Sequence, residues 1–363
     1  MKTKYFLIAL ITVWTNFTVV TAQMELEPVD YVNILVGTQS KFELSNGNTY
    51  PAVALPWGMN FWTPQTGKMG DGWQYRYDAD KIRGFKQTHQ PSPWINDYGQ
   101  FSIMPMTGKP EFDQDKRASW FSHKAEIAKP YYYSVYLADY DVTTEITPSD
   151  RAAMFRFTFP KTDKAYVLID AFDKGSAVEI LPEKNAVIGY TTRNSGGVPD
   201  NFKNYFVIVF DKPFVYQSTV KNGVIQENTT KCEADHAAAF IGFSSKKRGE
   251  KVMAHVASSF ISYEQAWQNL KEVSGKDFET VKIEGRKAWN EVLGKIEIEG
   301  VISIRNVRFI QPCIVPLFFH ENFMKKMPPV KLSTIALIMV KFFQGTCTPI
   351  PVFGIRFERC SPC

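Results

Sequence analysis

The sequence predicts a mainly β protein, an antiparallel β-sandwich running from Tyr31 to about Ser259 and followed by linker helices. Three observations carry this. Short runs rich in β-branched and aromatic residues recur between turn-forming residues. No helical periodicity separates those runs, which favours antiparallel pairing over a parallel sheet with crossover helices. Near Ser262 the pattern changes to apolar residues three and four apart, the spacing of an amphipathic helix.

Taken in chain order, the first element is an export signal. Lys2 and Lys4 precede a mostly apolar run from Phe6 to Trp14, and Val20-Thr21-Ala22 offers a small-residue cleavage site before Gln23. Residues 1–22 therefore read as a signal peptide. The mature protein is expected to be exported, whether periplasmic, cell-surface or secreted. No Cys near the cleavage site could accept a lipid, and the apolar run is short and interrupted by Thr and Asn. No transmembrane segment is expected after signal cleavage.

Residues 23–260 form the expected sandwich domain. Its clearest strands are Ala153 to Phe159, Ala165 to Ala171, Phe206 to Phe210 and Ala237 to Phe243. Asp163, Asp173-Lys-Gly, Asn194-Ser-Gly-Gly and Lys221-Asn-Gly read as turns between strands, the last as an Asn-Gly hairpin. Linker helices are expected within 261–300. Tyr263 to Leu270 and Phe278 to Leu293 are the helical stretches, with Val281, Ala288 and Val292 among the apolar positions. Ser262 and Asp277 are the expected N-caps, and Gly275 and Gly294 mark the ends.

A chain of 363 residues with 44% hydrophobic and 22% charged residues is an ordinary globular composition, long enough for two domains. The net charge of +5 is small and spread along the chain, so no nucleic-acid footprint is expected. Cys232 stands alone in the first three hundred residues, whereas Cys313, Cys347, Cys360 and Cys363 crowd the end. That distribution fits neither a zinc pattern nor an evenly spaced disulfide framework. It marks a change of composition near residue 300. Residues 301–363 mix apolar, Pro and Cys residues without periodicity and read as the product of a frameshift. Codon degeneracy supports this. In the frame beginning at each third base, Met324-Lys325 must give Glu, Met327-Pro328 must give Ala and Met339-Val340 must give Gly. The remaining positions permit a polar and aromatic globular sequence.

The residues suited to chemistry gather between Asn46 and Gly108. Trp73, Tyr75 and Tyr77 alternate along an extended segment and are expected to share one face. His89, Trp94, Asn96 and Asp97 fall together in a loop stiffened by Pro91 and Pro93. Sugar recognition needs this mixture, because a pyranose stacks its C–H faces on rings while its hydroxyls take amide, carboxylate or imidazole partners. A packed loop whose polar groups bond their own backbone would contain the same residues.

Several segments closely resemble the N-terminal domain of glycoside hydrolase family 92. They are Asp30 to Thr38, Asn48 to Met59, Gly84 to His89, Pro91 to Gly99 and Met104 to Gly108. The resemblance covers residues 27–300, and the shifted frame of the tail also yields a Phe-Trp-Asp-Thr-Phe-Arg run similar to the start of that family's catalytic domain. It implies a β-sandwich, linker helices and an (α/α) toroid that form a pocket for terminal α-linked mannose. It also implies calcium-dependent, inverting exo-mannosidase activity on mannose-containing glycans. The substrate-binding residues it implies here are His89, Trp94, Asn96, Asp97 and Trp73. The toroid is missing from this chain, and with it the expected catalytic carboxylates and calcium ligands, so no catalytic or metal-binding residue is assigned. A stand-alone carbohydrate-binding module and a purely structural sandwich are the other readings these residues allow. Resequencing the gene across the codons for Glu297 to Val307 is expected to reveal a gained or lost base; an intact frame would make the tail a genuine extension.

Overall fold

The structure of the protein, a computed structural model, describes residues 26–39, 49–69, 74–89, 97–194, 196 and 198–295. Within them the chain forms two large antiparallel sheets and one small one. The spatial order of the seven-stranded sheet is Phe61–Gln65, Gly84–Thr88, Ser102–Thr107, Thr162–Asp170, Ala237–Ser245, Tyr216–Lys221 and Val224–Glu227. That of the nine-stranded sheet is Lys231–Ala234, Ser176–Leu181, Ala186–Thr191, Asn204–Phe210, Glu250–Ser259, Ala152–Phe159, Val142–Pro148, Tyr132–Leu137 and Ile127–Lys129. The small sheet pairs Lys81–Ile82 with Ser119–Trp120. The expected tail and signal peptide, together with Trp73, Trp94 and Asn96, lie outside the described residues.

The four expected strands all form. Asp163 is a correction: it lies inside the strand Thr162–Asp170, where the register shifts between Thr162 and Ala165 and absorbs the turn-like residues as a bulge. Asn222 and Gly223 both take positive φ, 48° and 87°, the conformation that a two-residue hairpin turn demands.

The core lies between the large sheets and is built largely from aromatic rings. Trp62 meets Phe155 edge-on at 4.9 Å, Phe101 stacks on Phe206 at 4.4 Å, and Phe210 meets Phe243 at 5.2 Å. In each pair one ring comes from the seven-stranded side and the other from the nine-stranded sheet. Tyr75 joins this core at 1% exposure while Tyr77 is 38% exposed, so these rings do not share a face as their alternation predicts. The segment carrying them is not a strand; its backbone turns after Arg76.

Helices α1 (Tyr263–Leu270) and α2 (Phe278–Leu293) follow the sheets. Ser262 Oγ accepts the Gln265 amide at 3.2 Å and Asp277 Oδ1 accepts that of Thr280 at 2.7 Å, so both expected N-caps are made. The buried stripe of α2 is Phe278, Val281, Gly285, Trp289 and Leu293, with Ala288 and Val292 only at its margin. Along the helix Arg156 bonds Glu279 at 2.7 Å, Arg286 bonds Asp30 at 2.6 Å, and Trp289 Nε1 donates to Ala54 O at 2.9 Å. No helix among the described residues is long and apolar enough to cross a membrane.

One charged cluster is buried outright. Asp170 accepts Arg117 Nη2 at 2.8 Å, His236 Nε2 at 2.7 Å and the Phe172 amide at 3.1 Å. Arg117 spends its other N–H groups on the carbonyls of Arg83 and Phe112. Burial by itself would raise the pKa of Asp170, but the Arg117 and His236 contacts outweigh it and hold the carboxyl at about 2.

The folded-state pKa therefore lies below the usual 3.8 of an unfolded Asp. The stability it contributes is fully present above the unfolded value and is lost as pH falls through the folded one. Acid unfolding followed by circular dichroism is expected to show a loss of stability between about pH 4 and 2 that Asp170→Asn removes. Asp170→Ala, which strands a buried guanidinium, is expected to cost about 3–5 kcal/mol in urea melts.

Candidate functional site

His89 and Asp97, which flank the candidate loop, lie at one end of the sandwich. Phe61 opens its strand opposite Thr88, the last residue of Gly84–Thr88. Tyr205 pairs with Ser259 at the same end, bringing Asn204 and Phe260 beside the chain that leaves Thr88. Tyr50 adds a further tie through its hydroxyl, 2.7 Å from Thr88 Oγ1.

His89 and Asp97 bracket residues 90–96 and are both buried. The Asp97 carboxylate accepts the His89 amide at 2.9 and 3.1 Å and the Tyr98 amide at 2.8 Å, so it joins the two ends of that segment. The His89 ring stacks on Tyr98 with centroids 5.3 Å apart and meets Phe260 edge-on at 4.9 Å. Its Nδ1 lies 2.7 Å from Tyr98 O, with an Asp97 oxygen farther away at 3.7 Å. The shorter contact is the hydrogen bond; the longer one is beyond bonding range. Phe202 closes the aromatic group, 5.6 Å from Phe260 and 6.0 Å from Tyr98.

Close approach at this end requires glycine at position 99. Gly99 has φ +66°, and a Cβ there would come 2.7 Å from Asn204 Cβ and 3.0 Å from a Phe260 ring carbon. Asn204 Nδ2 donates to Gly99 O at 2.6 Å and to Gln87 Oε1 at 3.0 Å. Backbone strain gathers nearby as well. Asp141, Asn185, Asn222 and Asn228 are residue types that tolerate positive φ, but Trp57, Phe172 and Lys174 adopt it too, at 59°, 64° and 70°. Met59, two residues after Trp57, donates its amide to Asp150 O at 2.7 Å, while Phe172 follows the buried Asp170.

Of the sequence-predicted site residues, the structure brings His89 and Asp97 together. Gln74, the described neighbour of Trp73, bonds Thr66 and Gly67 at the opposite end of the Phe61–Gln65 strand. Gln87, Asn204, Phe202 and Phe260 were not legible as site residues. Asn204 lies 117 positions from Gln87, and a single polar or aromatic residue at such a distance gives no local signal.

This arrangement ties His89 to Asp97 and Tyr98. The Asp97 carboxylate is occupied by backbone amides. Among the described residues, no group of three or more His, Cys, Asp or Glu side chains gathers that could hold a metal ion. Asp97→Ala would leave the His89 and Tyr98 amides unpaired at about 1–3 kcal/mol each, whereas Asp97→Asn keeps an acceptor. Denaturant melts are expected to show a large loss for Ala and a smaller one for Asn. Gly99→Ala is expected to destabilise as well, through its positive φ and the Asn204 contact.

The comparisons with known proteins agree with this fold. A profile described as the glycosyl hydrolase family 92 N-terminal domain matches residues 31–259. Among solved structures, an inverting mannosidase of this family from Bacteroides thetaiotaomicron superposes with a TM-score of 0.78 at 45% identity, over 81% of this chain and 40% of that one. A second family 92 α-mannosidase from the same organism gives a TM-score of 0.74 at 26% identity, over 83% of this chain and 42% of that one. Among curated proteins, an uncharacterized secreted glycosidase of Arthroderma benhamiae is 23% identical over 316 residues, covering 77% of this chain and 40% of that protein. The chain thus spans about 40% of the length of these relatives. With the profile spanning most of its length, the chain belongs to glycoside hydrolase family 92, and its sandwich is that family's N-terminal domain.

Proposed function

We propose that this chain is the sugar-facing N-terminal part of an exported, calcium-dependent α-mannosidase that removes terminal α-linked mannose from glycans with inversion. We infer also that the chain alone does not turn over. The observation that carries the reading is the 45% identity to an inverting mannosidase over 81% of this chain. Another family 92 neighbour was solved in complex with mannoimidazole, which supports a mannose-sized ligand for the family pocket. The curated relative described as secreted supports export.

Inversion requires one carboxylic acid to protonate the leaving oxygen and a carboxylate roughly 6.5–9.5 Å away to activate water. In this reading both groups, and the calcium ligands, belong to the part of the relatives that the chain does not span. The sandwich contributes recognition. Trp94 and Asn96 contact the sugar, while His89 and Asp97 anchor the ends of the segment that carries them. Holding the segment at both ends before substrate arrives lowers the ordering cost of binding.

The test is release of mannose from an α-linked mannobiose. The 363-residue protein is expected to release none, with or without calcium, while a counterpart with its reading frame restored beyond Gly300 releases it in a calcium-dependent way. Turnover by the short chain would place the catalytic carboxylates in the sandwich. Trp94→Ala in the restored enzyme is expected to reduce activity far more than melting temperature; a core Trp would instead cost about 3–5 kcal/mol of stability. Tight mannobiose binding by the short chain would favour a stand-alone carbohydrate-binding module.

A further inference from the structure

At this end of the sandwich, three side chains each keep one buried polar atom without a hydrogen-bond partner. They are Gln87, His89 and Asn204, all fully buried. Their unpartnered atoms are Gln87 Nε2, His89 Nε2 and Asn204 Oδ1.

The orientation of each group follows from its neighbours. Gly99 O can only accept, so the Asn204 atom 2.6 Å from it must be the amide nitrogen. That nitrogen also faces Gln87 at 3.0 Å, which makes the facing Gln87 atom its oxygen and turns Gln87 Nε2 away. Tyr98 O likewise only accepts, so the His89 Nδ1 that lies 2.7 Å from it carries a proton. In the neutral ring His89 Nε2 is then an acceptor. The three remaining atoms are one donor, Gln87 Nε2, and two acceptors, His89 Nε2 and Asn204 Oδ1. Gln87 lies in the strand Gly84–Thr88, and His89 follows directly after its last residue. Asn204 is bonded to Gln87, and Phe260 touches both the His89 ring and the space beside Gly99, which confines the group.

We propose that these residues form a binding seat for one internal water molecule, which donates to His89 Nε2 and Asn204 Oδ1 and accepts from Gln87 Nε2. Water has two donor hydrogens and two acceptor lone pairs, so it meets the set with three hydrogen bonds, the usual number for a buried water. Leaving a buried polar atom without a hydrogen bond is costly, so an occupied seat is favoured over a dry network. The water joins the strand that ends at Thr88 to the strand that starts at Asn204. It makes Gln87 and Asn204 positioning residues for the His89 ring, and so for the start of the 90–96 segment.

A high-resolution crystal structure of the 363-residue protein tests the proposal directly. The expected result is one solvent peak within about 2.7–3.2 Å of all three atoms. Nitrogen-15 spectra of His89 should show the proton on Nδ1. Oxygen-17 relaxation dispersion should detect one fewer long-lived water in Gln87→Met, which removes the donor with little change of shape. A direct contact between Gln87 Nε2 and His89 Nε2, or no peak at the seat, would overturn the proposal. So would a proton on Nε2, or an unchanged water count in a folded Gln87→Met. If that variant does not fold, the wild-type peak and tautomer decide the question by themselves.

Discussion

Everything in this domain hangs on the aromatic contact between its two large sheets. Trp62 against Phe155 and Phe101 against Phe206 bridge the layers near the candidate end, and Phe210 against Phe243 does so farther along the strand. Rings of this size bury much apolar surface per residue, and their edge-on and offset geometries fix where one sheet sits on the other. That placement brings the ends of non-consecutive strands to a common level. Thr88, Asn204 and Phe260 come from distant parts of the chain, and they meet because the sheets beneath them cannot slide.

Polar groups at the candidate end are held with similar economy. The carboxylate of Asp97 serves backbone amides, Asn204 serves a carbonyl and another amide, and Asp170 serves a guanidinium and an imidazole. A site organised in this way is stiff before any ligand arrives. It also has few charges left for chemistry. That division fits the proposed reading, in which the sandwich contributes recognition and the reacting groups lie in the part of the relatives that this chain does not span.

Most of the fold was legible because its signals are local. β-Branched and aromatic runs marked the strands, Asn222-Gly223 marked a hairpin, and Ser262 and Asp277 marked the helix starts; each depends on residues within one turn or one strand. Strand order was not legible, since Thr162–Asp170 lies between Ser102–Thr107 and Ala237–Ser245 for reasons of packing alone. The alternation of Tyr75 and Tyr77 misled because it presumed an extended backbone where the chain turns. At the candidate site, composition singled out the stretch from His89 to Asp97. It could not separate residues that face a ligand from residues that hold the loop, because His, Asn and Asp serve both purposes. The Asp97 contacts fall within nine positions, yet they needed a folded backbone to become visible.

The way α2 is fastened has a mechanical consequence. Sixteen helical residues span about 24 Å, and the helix is gripped near its start by Arg156, past its middle by Asp30 and near its end by Ala54. Glu272, just before it, accepts from Ser149 Oγ at 2.8 Å and from the Arg151 amide at 2.9 Å. A rod clamped at several stations behaves as a strut rather than a hinge. Tension or torque applied at Leu293 would load the sandwich along its whole flank, and a single broken clamp would leave the others to share it.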